Sequence, residues 1–262
     1  MTIRPPAVAG RFYPVEPVVL AETVDRLLAA ASPPRLRFPA AAVIAPHAGY
    51  VYSGPVAASA FRCWQGAAPR RVVVIGPAHY VPFRGIAVPN HTAFRTPLGE
   101  IAVDREAVAA VAGLPAVVGA DRPHAPEHAL EVELPFLQRT LPHGFLLVPL
   151  VVGDATPAEV AAVLERLWDD ATLVVVSSDL SHYHDHATAT RLDAATAARI
   201  EALDAEALGS DDACGWLAVA GLLRLARERG LGIQRLDLRN SGDTAGGRAM
   251  VVGYGAWVLG PA

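Results

Sequence analysis

Five stretches of this chain are apolar at nearly every position instead of every second one: "AAAVIAP" (40–46), "RVVVIGP" (71–77), "FLLVPLVVG" (145–153), "TLVVVSSD" (172–179) and "RAMVVGYGAWVL" (248–259). A strand with one wet face alternates, because successive side chains point to opposite sides. Continuous Val and Ile therefore imply burial on both faces, which a parallel or mixed sheet obtains when helices cover it. The helices are legible between the strands. Residues 17–31 place Leu20, Val24, Leu27 and Leu28 on one face. Residues 156–170 open with Thr156 at the N-cap, Pro157 in the first turn and Glu159 three residues after the cap. Further helices are expected at 104–112 behind Asp104, at 186–206, and at 211–228 behind Ser210 or Asp211. Alternating elements of this kind specify an α/β fold, a central mixed and largely parallel sheet flanked by helices on both faces.

No repeat, low-complexity tract or linker interrupts residues 1–262; "ASPPRLRFP" (31–39) reads as a turn-rich connection, so a single domain is expected. Although 52% of residues are hydrophobic, no uninterrupted apolar run reaches the ~18 to 20 residues of a membrane helix. "MTIRPPAVAGRFYP" carries two prolines and no apolar signal region, which points to a cytoplasmic protein with no membrane partner. Cys63 and Cys214 are too few for a disulfide framework and read as reduced thiols, Cys63 in a helix core.

The net charge of −4 is mixed along the chain, with no basic run beyond pairs such as Arg70 and Arg71, which argues against a nucleic-acid partner. All 22 basic residues are arginine. Without lysine there is no Schiff-base residue, no pyridoxal-phosphate anchor, no phosphate-loop lysine and no Ser-Lys dyad. Neither a G-x-S-x-G elbow nor a G-x-G-x-x-G loop is present.

In an open α/β sheet, ligands sit beyond the carboxyl ends of the strands, where loops vary on a rigid support. The first apolar run is followed by His47, Tyr50, Tyr52 and Ser53, and the second by His79 and Tyr80. The fourth leads into Ser177, Ser178, Asp179, His182, His184 and His186. A single loop histidine is usually only solvated; three strand ends delivering histidine to one edge suggest a metal. Open metal sites commonly take two histidines and one carboxylate. His47 and His79 fit the first two places, and the carboxylate is Asp243 in "RNSGDTAGG" (239–247) or Asp179. "HAPEHALEVELPFLQRTLP" (124–142) admits two readings. It is an ordinary amphipathic helix with Glu127, His128, Glu131 and Glu133 on an acidic outer face, or Glu127 and His128 orient the metal ligands.

The stretches "RPPAVAGRFYP", "APHAGYVYSG", "GPAHY", "TPLGE", "EHALEVELPFLQ", "SSDLSHY" and "NSGDTAGG" occur in order over nearly the whole chain. Together they resemble the Memo family, protein B of the AmmeMemoRadiSam system, which is similar in structure to class III extradiol dioxygenases. The resemblance implies a non-haem iron(II) held by His47, His79 and a third ligand, with His182 in acid–base steps and Asp179 holding its tautomer. Tyr50, Tyr52 and Tyr80 would wall the substrate pocket. Animal members use a cysteine as third ligand, and the stretch aligned to it here contains Asp243 and Thr244; Asp243 is the expected donor, with Thr244 and Cys214 as alternatives. A carboxylate donor favours iron over copper, with zinc also open. The activity implied is oxidation of a small chelating substrate. The rival readings are a zinc-dependent hydrolase and a non-catalytic adaptor working with AMMECR1-type and radical-SAM partners.

Overall fold

The computed structural model describes residues 2–141 and 144–262. Short β1 (Ile3–Arg4) precedes α1 (Pro17–Ala30), β2 (Ala42–Ala45) and α2 (Tyr50–Phe61). Next come β3 (Arg71–Pro77), β4 (Ile86–Val88), β5 (Ala93–Thr96), β6 (Gly99–Ala102), α3 (Arg105–Val111) and β7 (Val117–Gly119). The second half runs α4 (Leu134–Thr140), β8 (Leu146–Val152), α5 (Pro157–Leu167), β9 (Thr172–Ser177), β10 (His182–His184), α6 (His186–Glu201), α7 (Trp216–Glu228), β11 (Leu231–Asn240), α8 (Ser241–Thr244) and β12 (Val251–Pro261).

The main sheet follows the order β10-β12-β2-β9-β3-β8-β4-β7, with β11 also paired to β12, while β1, β5 and β6 form a small separate sheet. The four middle strands β2, β9, β3 and β8 are mutually parallel, and β12 and β4 join them antiparallel on either side. This is the mixed, largely parallel sheet that the apolar runs demand. Val72, Val73, Val74, Ile75, Val174, Val175 and Val176 are all fully buried. Helix α2 packs on β2, β11 and β12 with α1 and α4 against it, α7 packs on β3 and β9 with α5 against it, and α6 packs on β11 and β12.

The capping signals operate as read. Thr156 and Glu159 form a reciprocal capping box at α5, and Asp104 accepts from the Ala107 amide at 2.9 Å while its other oxygen pairs with Arg71 at 2.7 Å. Other boundaries shift. Helix α6 stops at Glu201, before a 3-10 turn at Ala205–Ala207, and α7 begins only at Trp216. Cys63 lies in the 3-10 turn Arg62–Trp64 instead of a helix core, half-buried. Strand β11 is absent from the sequence reading because its polar residues break the apolar run that marks the central strands.

The segment from 124 onward departs most from its amphipathic reading. Only Leu134–Thr140 is α-helical, after a 3-10 turn at Glu131–Glu133, and Pro142 lies outside the described residues. The expected acidic outer face is interior: Glu127, Glu131 and Glu133 are 2%, 0% and 0% exposed. Glu131 forms a buried ion pair with Arg4 and accepts the Ala7 amide (2.7 Å), the Val8 amide (3.0 Å) and the Tyr13 hydroxyl (2.5 Å). Arg4 also donates to the carbonyls of His124 (3.0 Å) and Glu127 (2.6 Å). A buried charge needs this degree of pairing to remain inside. The N-terminal segment is thereby stapled to the stretch that carries Glu127 and His128.

Candidate metal centre

His47 follows the end of β2 and His79 the end of β3, two residues beyond each strand, so adjacent parts of the parallel sheet aim them at one edge. His128 arrives from the stapled 124–133 segment. Gly76 near the end of β3 allows this approach, because a Cβ there would lie 3.2 Å from Ala129 Cβ and 3.3 Å from Ser177 Cβ. One donor nitrogen from each of His47, His79 and His128 lies within 4.8 Å of the other two. The ring centroids are 5.2 Å (47 to 79), 5.3 Å (47 to 128) and 4.6 Å (79 to 128) apart.

Each ring is held at Nδ1 by a different partner. Ser177 Oγ lies 2.8 Å from Nδ1 of His47, Glu127 Oε1 2.8 Å from that of His79, and Tyr80 Oη 3.2 Å from that of His128. That turns Nε2 of each ring away from these anchors, with Nε2 of His47 facing Cys214 Sγ at 3.3 Å. Glu127 also accepts the backbone amides of His79 (2.6 Å), His128 (2.9 Å) and Ala129 (3.0 Å). Burial alone would push its carboxyl up, but the hydrogen bond and charge of His79 together with these amides hold it below the usual glutamate range. An ionised Glu127 makes Nδ1 of His79 a donor.

Two of the imidazoles, His47 and His128, are kept neutral. Burial, then repulsion from His128, His79 and His182, drives the pKa of His47 well below its ordinary value. Burial lowers His128 to about 4, with Glu127 opposing the shift. Neutral imidazole is the metal-binding form.

The other expected site residues fall into place around this group. Asp179 is buried, accepts the His47 amide at 2.8 Å, and is raised to about 7 by burial. Among the described residues it makes no hydrogen bond to His182, so the expected Asp179–His182 pairing is replaced by support of the His47 backbone. His182, half-buried on β10, is lowered by burial and by His79, with a hydrogen bond to the Leu180 backbone opposing. Cys214 Sγ lies 3.3 Å from His47 Nε2, and its thiol is raised to about 12 by burial and then by the Asp179 charge. Gly215 makes this approach feasible, since a Cβ there would come within 2.7 Å of the Ser177 carbonyl oxygen.

Asp243 is not a member of the converging group. Its Oδ1 lies 2.6 Å from His186 Nε2 and its Oδ2 accepts the Asn240 amide at 3.1 Å, which caps the short α8. Burial acts to raise this carboxyl, but these two partners hold it below the usual aspartate range. Thr244 Oγ1 donates to the Ser241 carbonyl at 3.3 Å. The third convergent donor is His128, which the sequence reading placed as a supporting residue. Tyr50 is interior and donates to the Val132 carbonyl at 2.7 Å, Tyr52 is exposed, and Tyr80 touches the centre through His128. Glu133, read from the sequence as part of an acidic outer face, is buried instead, and Tyr254, also buried, gave no signal because it sits inside an apolar run, where aromatic residues normally mean core.

Fold and site together define an α/β protein with a three-histidine candidate metal centre at the carboxyl edge of its parallel strands. The chain belongs to the Memo-like protein family, whose profile matches residues 4–258. It is similar to a MEMO1 family protein of Ignicoccus hospitalis, 35% identical with 98% of each chain covered. Another from Aeropyrum pernix is 36% identical over 98% of this chain and 99% of the relative, and one from Thermotoga maritima is 34% identical with the same coverage. Among the described residues, no helix is long and apolar enough to cross a membrane.

Proposed function

We propose that the chain holds one divalent transition metal through Nε2 of His47, His79 and His128 and uses it in dioxygenase-like oxidation of a small chelating molecule, with iron(II) as the metal. The observation that carries this reading is the convergence of one ring nitrogen from each of three imidazoles that each have a polar anchor at Nδ1, the usual arrangement around metal-ligating histidine. The donors fit a borderline cation, because imidazole suits iron, copper and zinc alike. A bound iron would supply the electron path between substrate and dioxygen, with both oxygen atoms entering the product so that no external reductant is consumed.

The chain's own residues do the rest. Three neutral histidines leave the metal's charge uncompensated, which favours a substrate that binds as an anion, such as a deprotonated diol. His182, whose pKa burial lowers, would take the substrate proton. A mostly apolar cleft of about 300 Å³, lined by Ala78, Phe83, Val152, Cys214 and Leu217 among others, accommodates the body of a small molecule beside the centre. Partnership with AMMECR1-type and radical-SAM proteins is proposed on the family resemblance, and retention of those proteins by a His47→Ala variant lacking metal would favour the adaptor reading.

Anaerobically prepared protein should take up one iron(II) per chain and consume oxygen with a catechol probe. A chain that binds no added metal defeats this function. The replacement of a carboxylate by a third imidazole favours one second reading, zinc-dependent hydrolysis, since three histidines with an open fourth position also suit a catalytic zinc. Tight zinc retention without oxygen uptake is its signature.

A further inference from the structure

Behind His47 lies a buried acid outside the metal centre itself. Ser177 Oγ is within 2.8 Å of His47 Nδ1, 2.7 Å of the Ala129 carbonyl oxygen and 2.7 Å of Glu133 Oε1. A serine hydroxyl has one proton to give and two lone pairs to receive, so these three contacts fill it completely. The Ala129 carbonyl can only accept. The single assignment that satisfies all three contacts sends the Ser177 proton to Ala129 and makes both remaining neighbours donors, His47 through Nδ1–H and Glu133 through a carboxylic O–H. Any other assignment sets acceptor against acceptor at hydrogen-bond distance, in an interior where water cannot intervene.

We propose that Glu133 is a neutral acid which, through Ser177, fixes His47 in the Nδ1–H tautomer and so keeps the Nε2 lone pair turned to the three-histidine centre. Glu133 is therefore a positioning residue: it touches neither substrate nor the metal ligands. Its second oxygen, Oε2, is buried with no hydrogen-bond partner among the described residues. An orphaned carboxylate oxygen is far more costly to bury than the carbonyl oxygen of an acid. Full burial and then the charge of Asp179, opposed by the contact with Ser177, push the carboxyl well above its ordinary range, in the same sense. The alternative tautomer would place the His47 proton on Nε2, toward Cys214 Sγ, and close that nitrogen to a cation.

The tautomer stands independently of metal binding; its consequence for affinity rests on the proposed function above. Nitrogen-15 NMR of the metal-free protein should report His47 protonated at Nδ1 and bare at Nε2 at neutral pH. Infrared spectra should contain a carboxylic-acid carbonyl band that Glu133→Gln removes. Glutamine retains an N–H donor for Ser177, so E133Q should keep the tautomer and bind zinc(II), a diamagnetic probe, within about 3-fold of the parent. Ser177→Ala leaves Nδ1 without an acceptor and should weaken zinc(II) binding by about 10- to 100-fold, as loss of groups supporting metal ligands does. An Nε2–H signal for His47 in the parent protein, or the absence of the acid band, overturns the proposal without recourse to any variant. The correct tautomer and acid band in a protein that binds no metal would instead overturn the function while leaving the positioning role intact.

Discussion

Glu127 grips His79 at two points: Oε2 accepts the backbone N–H at 2.6 Å and Oε1 accepts the imidazole Nδ1–H at 2.8 Å. One carboxylate thus fixes the position, ring orientation and tautomer of a candidate ligand. It also accepts the amides of His128 and Ala129 and so sets two of the three imidazoles relative to each other. Glu127→Gln keeps the shape but cannot accept both bonds from His79 and the two further amides. Metal affinity should fall by about 10- to 100-fold, the usual effect of losing such support. Calorimetric titration with zinc(II) measures it, and an unchanged affinity would remove Glu127 from the centre's design.

The choice between His128 and Asp243 as third donor has an equally direct test. His128→Ala should abolish stoichiometric metal retention, because two imidazoles with one open corner hold a borderline cation poorly. Asp243→Asn should leave retention unchanged and instead loosen the cap of α8 and the contact with His186. Elemental analysis of the two purified variants decides the matter, and the opposite pattern would return the ligand role to Asp243.

The Arg4–Glu131 pair predicts a stability effect remote from the chemistry. Removing one partner of a fully buried, hydrogen-bonded ion pair costs about 3 to 5 kcal/mol, because the other charge is left without compensation. Arg4→Met should lower the unfolding free energy in urea by an amount of that order. The variant should also weaken metal binding, since Arg4 holds the carbonyls of His124 and Glu127 in the segment that delivers His128. Equal stability of variant and parent would show that the staple is not needed.

These tests fall mostly on residues that sequence reasoning saw but placed incompletely. His47 and His79 were legible because each follows an unbroken apolar strand, and strand ends in a parallel sheet are geometrically tied to one edge. His128 was visible as a residue type, but its place depends on a non-helical segment held by a staple from residue 4. No local pattern encodes contacts across 120 and 123 positions. Glu131 and Glu133 read as solvent-facing because glutamate is rarely buried, and only tertiary pairing reverses that expectation. Asp243 looked like a ligand because Ser, Gly and Asp clusters mark tight turns near sites. A cap uses the same residues, and here the cap is what forms.

Acid should destabilise the protein through His124, and the sign follows from its burial. His124 is 1% exposed, with Nε2 3.1 Å from the Ala87 carbonyl oxygen and Nδ1 without a partner among the described residues. Burial drives its pKa from 6.5 down to about 3. Below pH 6.5 the unfolded chain takes up a proton that the folded chain refuses until about pH 3. The stabilising contribution is therefore complete above pH 6.5 and is lost as pH falls through that window, at up to about 1.4 kcal/mol per pH unit for one site. His124→Gln retains a donor for Ala87 and has no proton to gain. Its unfolding free energy should decline less steeply than that of the parent between pH 6 and pH 4, in metal-free samples unfolded by urea. Parallel declines would mean that His124 titrates normally in the folded state, and hence that the interior beside the Arg4 staple admits water.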